Sequence, residues 1–584
     1  ILGTVPVEDD GSALFRVPAN TPIAVHPLDA EGKALQRMRS WFTAMPGETI
    51  SCVGCHEKQN TSPPARSARA AARAPSDIAP WYGPTRGFSF EREVQPVLDH
   101  YCVRCHDGSP RDDGKSIPDL RAGRRLRGWK SVTPGQGGRL GGRFTQAYAE
   151  LHKYIRRPGI ESDYHLLTPM DFHADTTELV QMLRAGHGGV RLDEEAWDRL
   201  ITWIDLNVPF HGYWHDITGQ AALDIAARQV ELARKYANLD TNPEAVPEAP
   251  TPTFPPVEPS ASGLPPRTTV SAASTASTVS TLSTAASVRR TLDLGDGVTL
   301  ELALVPAGTM ARGEETIAVP PMWVGTCEVS NAQYARFDSE HDSRVESKHA
   351  YQFGVHGFPL NEPEQPVVRI SWERAAAFCE WLSERTGMPF ALPSADQWEY
   401  ACRAGAETPF WYGDEDTDFA SFANLADAKL VEFADNPYKV YSPLKNPTPY
   451  DDWIPKDTRF NDGVLVSAPI GRYEPNPWGL HDMHGNVWEW TRTEGATPDQ
   501  RIVRGGSWYD RPKRATASSA LAYRTYQRVF NVGFRVVSLV SGTAQGRLAR
   551  GVQLDIRNQV ERSLTGDRAG GLLESSAANS KQDT

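Results

Sequence analysis

Apolar positions follow two different periods along the chain. Near the N-terminus the runs are short and β-prone: LFRV (14–17) and IAVHPL (23–28), with turn-forming DDGS and DAEG beside them. This pattern predicts strands and turns over 1–50 in a small β-sandwich-like module. From Pro96 the spacing changes to three and four. Val94, Val97, Leu98, Tyr101 and Cys105 fall on one helical face, with the proline in the first turn. Asp193 is a natural N-cap, and Trp197, Leu200, Ile201 and Ile204 form the apolar stripe of the helix it opens. Further on, Ala375, Phe378, Cys379 and Leu382 share a helical face, and Ser394 with Gln397 makes a capping box.

Other stretches lack either period. Residues 61–86 are rich in Pro, Ala and Arg and read as a loose connection. Residues 240–292 contain TPTFPPVEPSASGLPP and STASTVSTLSTAAS, too poor in apolar side chains to form a core. They are expected to be a disordered linker that lets its flanks move separately. A second globular region, 293–540, holds 10 of the 16 tryptophans, and 541–584 reads as a disordered tail. The predicted order is a β-rich module (1–60), the connection (61–86), a helical domain (87–216), the linker (240–292), an α+β domain (293–540) and the tail. A length of 584 residues agrees with several cores. No run of 18 apolar residues predicts a membrane span, and a net charge of −12 argues against nucleic acid as a partner. A chain that begins at Ile1 is expected to be a fragment or a processed form.

Chemistry enters with SCVGCHE (51–57) and YCVRCHD (101–107). Seven cysteines in the whole chain supply two CxxCH motifs, Cys52, Cys55, His56 and Cys102, Cys105, His106. This is the c-type haem attachment pattern: the thiols bond the haem vinyl groups and the adjacent imidazole ligates iron. A zinc ribbon needs its CxxC pairs closer than the 46 residues between Cys55 and Cys102. A redox dithiol needs no histidine after it. Two c-type haems are therefore expected, which places the protein in a periplasm or another extracytoplasmic compartment. The remaining axial ligand of the second haem is sought among His152, His165, Met170, His173, Met182, His187, His211 and His215. His187, within AGHGG, is favoured because glycine backbone can approach a flat ring closely, and His173 is the second choice. The first motif has no evident distal ligand nearby. RAGRRLRGWK (121–130) is either a solvated loop or a docking patch for an acidic redox partner.

Across 1–216, GTVPVEDDGSALFRVPANTPI, MRSWFTAMPGETISCVGCHE, FEREVQPVLDHYCVRCHDG and HLLTPMDFHADTTELVQMLRAGHGGVRLDEEAWDRLITWIDLNVPFHG resemble the haem-bearing part of the hydrazine synthase alpha subunit family of planctomycetes. In that family a β-propeller precedes this region. The family holds its first haem through a tyrosine at the position of Asn60. The resemblance thus implies a dihaem c-type cytochrome rather than one particular reaction.

The second region carries LVPAGTM (304–310), CEVSNAQYARF (327–337), PVVRISWERAAAFCEWL (366–382), FALPSADQWEYACRAG (390–405), GLHDMHGNVWEW (479–490), RIVRGGSWYD (501–510) and VGFRVV (532–537). Together they resemble the formylglycine-generating enzyme (sulfatase-modifying factor) family, which implies an irregular C-type-lectin-like α+β fold with Trp488 and Trp490 in its core. The family's copper-binding cysteines, five apart after the GGS turn, correspond to Ala515 and Ala520, and no cysteine follows Cys402. No copper and no formylglycine-generating oxidase activity are expected, since copper(I) wants thiolate ligands. The resemblance also implies calcium at Asn424, Leu425, Asp462 and Val464, and at Asp482, Gly485, Val487 and Glu489, where oxygen ligands suit a hard cation. Cys327 and Cys402 are candidates for a disulfide, and Cys379 for a core position.

The expected protein is an extracytoplasmic dihaem cytochrome, serving electron transfer or redox catalysis with a partner protein or small molecule. It is fused to a formylglycine-generating-enzyme-like domain without its catalytic thiols. The alternative makes the C-terminal domain the working part, as a calcium-stabilised binding or scaffold module or an enzyme of unknown mechanism.

Overall fold

The computed structural model describes residues 1–38, 40–53, 67–111, 114, 116–126, 144–158, 168–240, 242, 244–256, 288–312, 315–346, 357–434 and 454–540. The expected N-terminal β-sandwich does not form. Its runs make only single bridges: Thr4 to Ala79, Phe15 to Ser76, Ile23 to Phe42 and Leu28 to Ala34. Pro6, Pro18, Pro22 and Pro27 interrupt the segment, and each removes a backbone donor that a ladder would need. Two of these bridges reach 76 and 79, so residues 67–86 are no loose connection. Arg73 Nε binds Glu8 at 2.6 Å, and Arg86 clasps Glu93 at 2.7 and 3.0 Å.

The helical part follows. A π-helical turn (Phe90–Val94) runs into α1 (Gln95–Tyr101); then come α2 (Gln146–Leu151), α3 (Glu178–Arg184), α4 (Glu194–Asp205) and α5 (Gln220–Ala237). The helix α1 is shorter than its apolar spacing implied. It stops at Tyr101, and Cys105 lies exposed in the turn beyond. Asp193 caps α4 as expected, accepting from Ala196 N at 2.8 Å. Phe90, Val97, Leu98, Tyr101, Leu200, Trp203, Ile204 and Phe210 form the core between them. The helix α5 is unforeseen by periodicity because it buries only Ala222 and Ala226.

The start of the low-complexity stretch is not a free linker. Phe254 packs 5.6 Å from Tyr101, and the Pro255 carbonyl meets His100 Nε2 at 2.7 Å. Residues 257–287, and the expected tail after 540, lie outside the described residues.

The C-terminal domain starts a few residues before 293. Its strands are β1 (Arg289–Gly295), β2 (Val298–Val305), β3 (Met322–Gly325), β4 (Phe390–Ala391), β5 (Trp488–Glu494), β6 (Gln500–Arg504), β7 (Ala520–Arg524), β8 (Val532–Gly533) and β9 (Val537–Leu539). One sheet runs β1-β2-β3-β9-β4 and the other β7-β6-β5-β8. All pairs are antiparallel except β8 with β5, where Val532 faces Trp488. The helix α6 (Trp372–Thr386) buries Ala375, Phe378, Cys379 and Leu382, the predicted face. The helix α7 (Ala395–Arg403) has the predicted capping box at Ser394 and Gln397. Trp488, Trp490 and Trp508 meet Phe378 and Phe534 in one core.

The two halves are packed together rather than free to move separately. Arg156 donates to both Glu346 oxygens at 2.8 and 3.0 Å. Arg369 reaches Glu346 and Asp171, each at 3.1 Å. The Arg156 guanidinium lies 4.2 Å from the Phe172 ring and 3.7 Å from the Phe530 ring, one from each half. Arg156, Glu346 and Arg369 are each only 4–6% exposed in their side chains. Burial alone would raise the Asp171 carboxyl, but Arg369 and Arg156 outweigh it and hold it below the ordinary range.

Replacing Glu346 with Ala should leave two buried guanidinium groups with the single carboxylate of Asp171. The expected cost is about 3–5 kcal/mol, read as a lower denaturation midpoint; an unchanged midpoint would refute the role given to this cluster. Because the folded Asp171 value is depressed, its contribution is complete above the ordinary carboxylate value of about 3.9 and drains away as pH falls through the lower folded value.

Candidate functional site

At the end of α1 the chain makes a tight turn. Cys102 N donates to Leu98 O at 2.8 Å, and His106 N donates to Cys102 O at 3.0 Å. This folds His106 back beneath the helix end. Cys102 is half-buried and Cys105 exposed, and both are free thiols. Burial, then Cys105 and Asp99, push the Cys102 thiol up to about 12. It is therefore protonated at neutral pH, unlike the thiolate of a redox dithiol. The Pro118 carbonyl faces the His106 imidazole, whose Nδ1 is buried without a hydrogen-bond partner. Burial first, and the neighbouring His187 next, lower the His106 pKa.

The second ring comes from 81 residues along the chain. The helix α3 ends at Arg184, Gly186 turns the backbone at φ 84°, and His187 follows. The left-handed conformation is one that glycine adopts without strain. The His106 and His187 ring centroids stand 5.8 Å apart, with their planes 33° from parallel. Two imidazoles that each reach a shared iron at about 2 Å would hold their ring centres roughly 6 Å apart. The four side chains, two thiols and two facing imidazoles, thus fit the donor set of a c-type haem.

The other ligand candidates are placed elsewhere or otherwise engaged. His173 accepts at Nδ1 from Asp175 N at 3.3 Å, has Gln527 Nε2 3.1 Å away, and meets Asp29 through Nε2 at 3.2 Å. It is a junction residue of the two halves, with both ring nitrogens engaged. His215 pairs with Glu244 at 2.7 Å. Met182 packs against the helical core, and Met170 N is bonded to Leu35 O. His152 and His211 lie edge-on to Tyr148 and Phe210. His165 lies outside the described residues, as do Cys55 and His56 of the first motif, whose Cys52 is exposed. The basic run after 121 is partly neutralised: Arg121 and Arg124 meet Asp119, and Arg125 meets Glu91.

In the C-terminal domain, the chain after the GGS turn places Ala515 in the interior and Ala520 exposed at the start of β7. Gly506 lets Ala515 approach so closely that a Cβ there would lie 2.4 Å from the Ala515 Cβ. Cys327 and Cys402 do not join. Cys402 Sγ sits 3.4 Å from His484 Nε2, whereas Cys327 faces Gly471. His484 is fully buried, with Nδ1 on the Ala515 carbonyl at 2.7 Å. Burial brings its pKa down to about 4.

The residues expected to hold calcium are adjacent. Gly485 bridges Asn424, and Asn486 N donates to Asn424 O at 2.8 Å. Asn424 Oδ1 and Asp482 Oδ1 are buried without partners. Leu425 and Val487 are core residues, and Val464 N donates to Asp462 at 2.8 Å. Burial, then neighbouring Asp427, raise the Asp462 carboxyl to about 7. Glu489 is already engaged, by Arg535 at 2.6 and 2.7 Å and by Trp398 at 2.6 Å. Glu328, which sequence reasoning missed, faces Asp482; burial raises both carboxyls, and the Asp482 charge raises Glu328 further, whereas the contact with Glu328 lowers Asp482. Among the described residues no three His, Cys, Asp or Glu side chains gather as a metal cluster.

Residues 296–540 match the family model of the sulfatase-modifying factor enzyme 1-like domain. The C-terminal half of this chain carries a formylglycine-generating-enzyme-like domain. Residues 1–57 match the hydrazine synthase alpha subunit middle domain. The bovine inactive C-alpha-formylglycine-generating enzyme 2 is 24% identical over 43% of this chain and 91% of its own length. The formylglycine-generating enzyme of Mycobacterium tuberculosis is 32% identical over 25% of this chain and 38% of its own. Among solved structures, PvdO from Pseudomonas aeruginosa aligns at a TM-score of 0.32 and 18% identity, over 43% of this chain and 98% of its own. No helix among the described residues is long and apolar enough to cross a membrane.

His484 gives the formylglycine-generating-enzyme-like domain a pH dependence of known sign. Its folded pKa is depressed, so its contribution is whole above 6.5 and is lost as pH falls toward about 4. His484→Gln should remove that part of the slope in denaturation midpoints measured across this window. An unaltered slope would mean that His484 is not buried as a neutral ring.

Proposed function

We propose that the protein is an extracytoplasmic c-type cytochrome that transfers electrons, joined to a formylglycine-generating-enzyme-like domain that has no oxidase activity of its own. The single observation that carries the reading is the His106–His187 pair, 5.8 Å apart beside Cys102 and Cys105. Cys102 and Cys105 would hold the haem covalently, and His106 and His187 would supply imidazole ligands to its iron. When bound, the haem supplies one-electron chemistry. Two strong ligands close the iron to substrate, which favours electron transfer over catalysis. Cys52, Cys55 and His56 would hold a second haem on the same pattern. The compartment follows, because the attachment chemistry belongs outside the cytoplasm.

For the C-terminal domain the better reading is a scaffold. No cysteine follows Cys402 to bind copper after the GGS turn. The segment after that turn instead meets the N-terminal half through Arg511, Arg514, Tyr523 and Gln527. Calcium is the cation we assign to the unpartnered Asn424 and Asp482 oxygens.

Protein matured in a periplasm should show covalent haem by its absorption spectrum. The spectrum of the second haem should not respond to carbon monoxide, and His106→Ala should change it. No covalent haem, or a spectrum untouched by that substitution, would overturn the assignment. Copper-loaded protein should leave a cysteine-containing sulfatase peptide unmodified; formylglycine formation, read by mass, would refute the scaffold reading.

A further inference from the structure

The element that carries His187 is also the element the C-terminal domain grips. The inner face of α3 places Leu179 and Val180 in the helical core. Its outer positions are tied at every third residue. Glu178 pairs with Arg511 of the C-terminal domain. Gln181 donates from Nε2 to Tyr523 Oη at 2.9 Å and accepts from Arg514 through Oε1. Arg184 pairs with Glu31 at 2.6 Å, and Glu31 in turn pairs with Arg524. Three residues past Arg184 stands His187, beyond the Gly186 turn.

We propose that the C-terminal domain positions the axial ligand His187 by clamping α3, with Gln181 as the positioning residue between Tyr523 and Arg514. The inference rests on the haem reading of His106 and His187. The reason is geometric. His187 is exposed and follows a glycine, so nothing in its own turn fixes the ring. A short helix of seven residues has little stability of its own. Its register is therefore set jointly by Leu179 and Val180 on the inner face and by what holds its outer face. Gln181 is suited to that, because its amide both donates and accepts across the boundary. The segment 511–527, which follows the GGS turn, thus serves to hold a ligand of the other half.

The test uses the full-length holoprotein. Gln181→Ala removes both links together with a bond to the Asp175 carbonyl, so Tyr523→Phe isolates the inter-half part; Gln181→Glu keeps an acceptor for Arg514 and for the Tyr523 hydroxyl. Tyr523→Phe deletes a single hydroxyl from a ring that stays in the core, and serves if Gln181→Ala fails to fold. Losing one or two such hydrogen bonds should raise the carbon-monoxide-reactive share of the second haem about three- to ten-fold. Hydrogen exchange over 178–187 should quicken in the same variants, and Gln181→Glu should restore both readings. His187→Ala is the control and should open the iron fully. If His187→Ala opens it while folded Gln181→Ala and Tyr523→Phe match the wild type, the clamp is wrong and the haem reading stands. If His187→Ala changes nothing, His187 is not the ligand and both fall.

Discussion

Two arginines and two carboxylates, sealed between the halves, decide how this chain is assembled. Arg156 and Asp171 come from the helical part, and Arg369 and Glu346 from the C-terminal domain. Burying such charges is expensive, and their mutual attraction repays the cost only if geometry and hydrogen bonding are complete. Glu346 meets this condition by accepting from both guanidinium groups. Phe172 and Phe530 then cover the two faces of Arg156, excluding water and adding cation–π attraction. A cluster of this kind works less as adhesive than as a key. Shifting one half by a few ångströms would leave a buried charge alone, so the alignment has one solution.

That alignment explains what becomes of the face after the GGS turn. An enzyme working on a protein substrate must leave its reactive side accessible. Here Arg511, Arg514, Tyr523, Arg524 and Gln527 meet Glu31, His173, Glu178 and Gln181 of the same chain. The absence of any thiol beyond Cys402 and the covering of this face are independent observations. Both support the scaffold reading proposed above for this domain. Its interior holds a tryptophan core, with His484, Glu328 and Asp482 buried in the same domain.

Local signals were read well wherever neighbours in sequence decide the outcome. Asp193, the Ser394–Gln397 box and the α6 face each depend on residues within a turn or two, and each formed as its pattern implied. The N-terminal strands failed because β pairing is settled by distant partners, and prolines denied the donors a ladder needs. Residues 67–86 and 244–256 looked structureless for a related reason. They have no core of their own, and instead lie against one made by others. The choice of His187 over His173 rested on a glycine pattern. What separates them in space is that Asp29, Asp175 and Gln527 already occupy both nitrogens of His173. No spacing rule could find Asp29 and Gln527, which lie 144 and 354 residues away.

The ionic character of the boundary also suits the way the halves are connected. Each half has its own apolar cluster, one around Phe90 and Trp203 and one around Phe378 and Trp490. Phe378 and Trp490 pack within their own cluster, whereas Phe530 and Tyr523 also meet Arg156 and Gln181 of the other half. Docking can then follow folding, with charge steering the approach and the buried cluster fixing the register. An apolar boundary of the same area would stabilise more per contact but tolerate sliding. For a site whose two imidazoles are contributed by separate segments, tolerance of sliding is the property the structure must avoid.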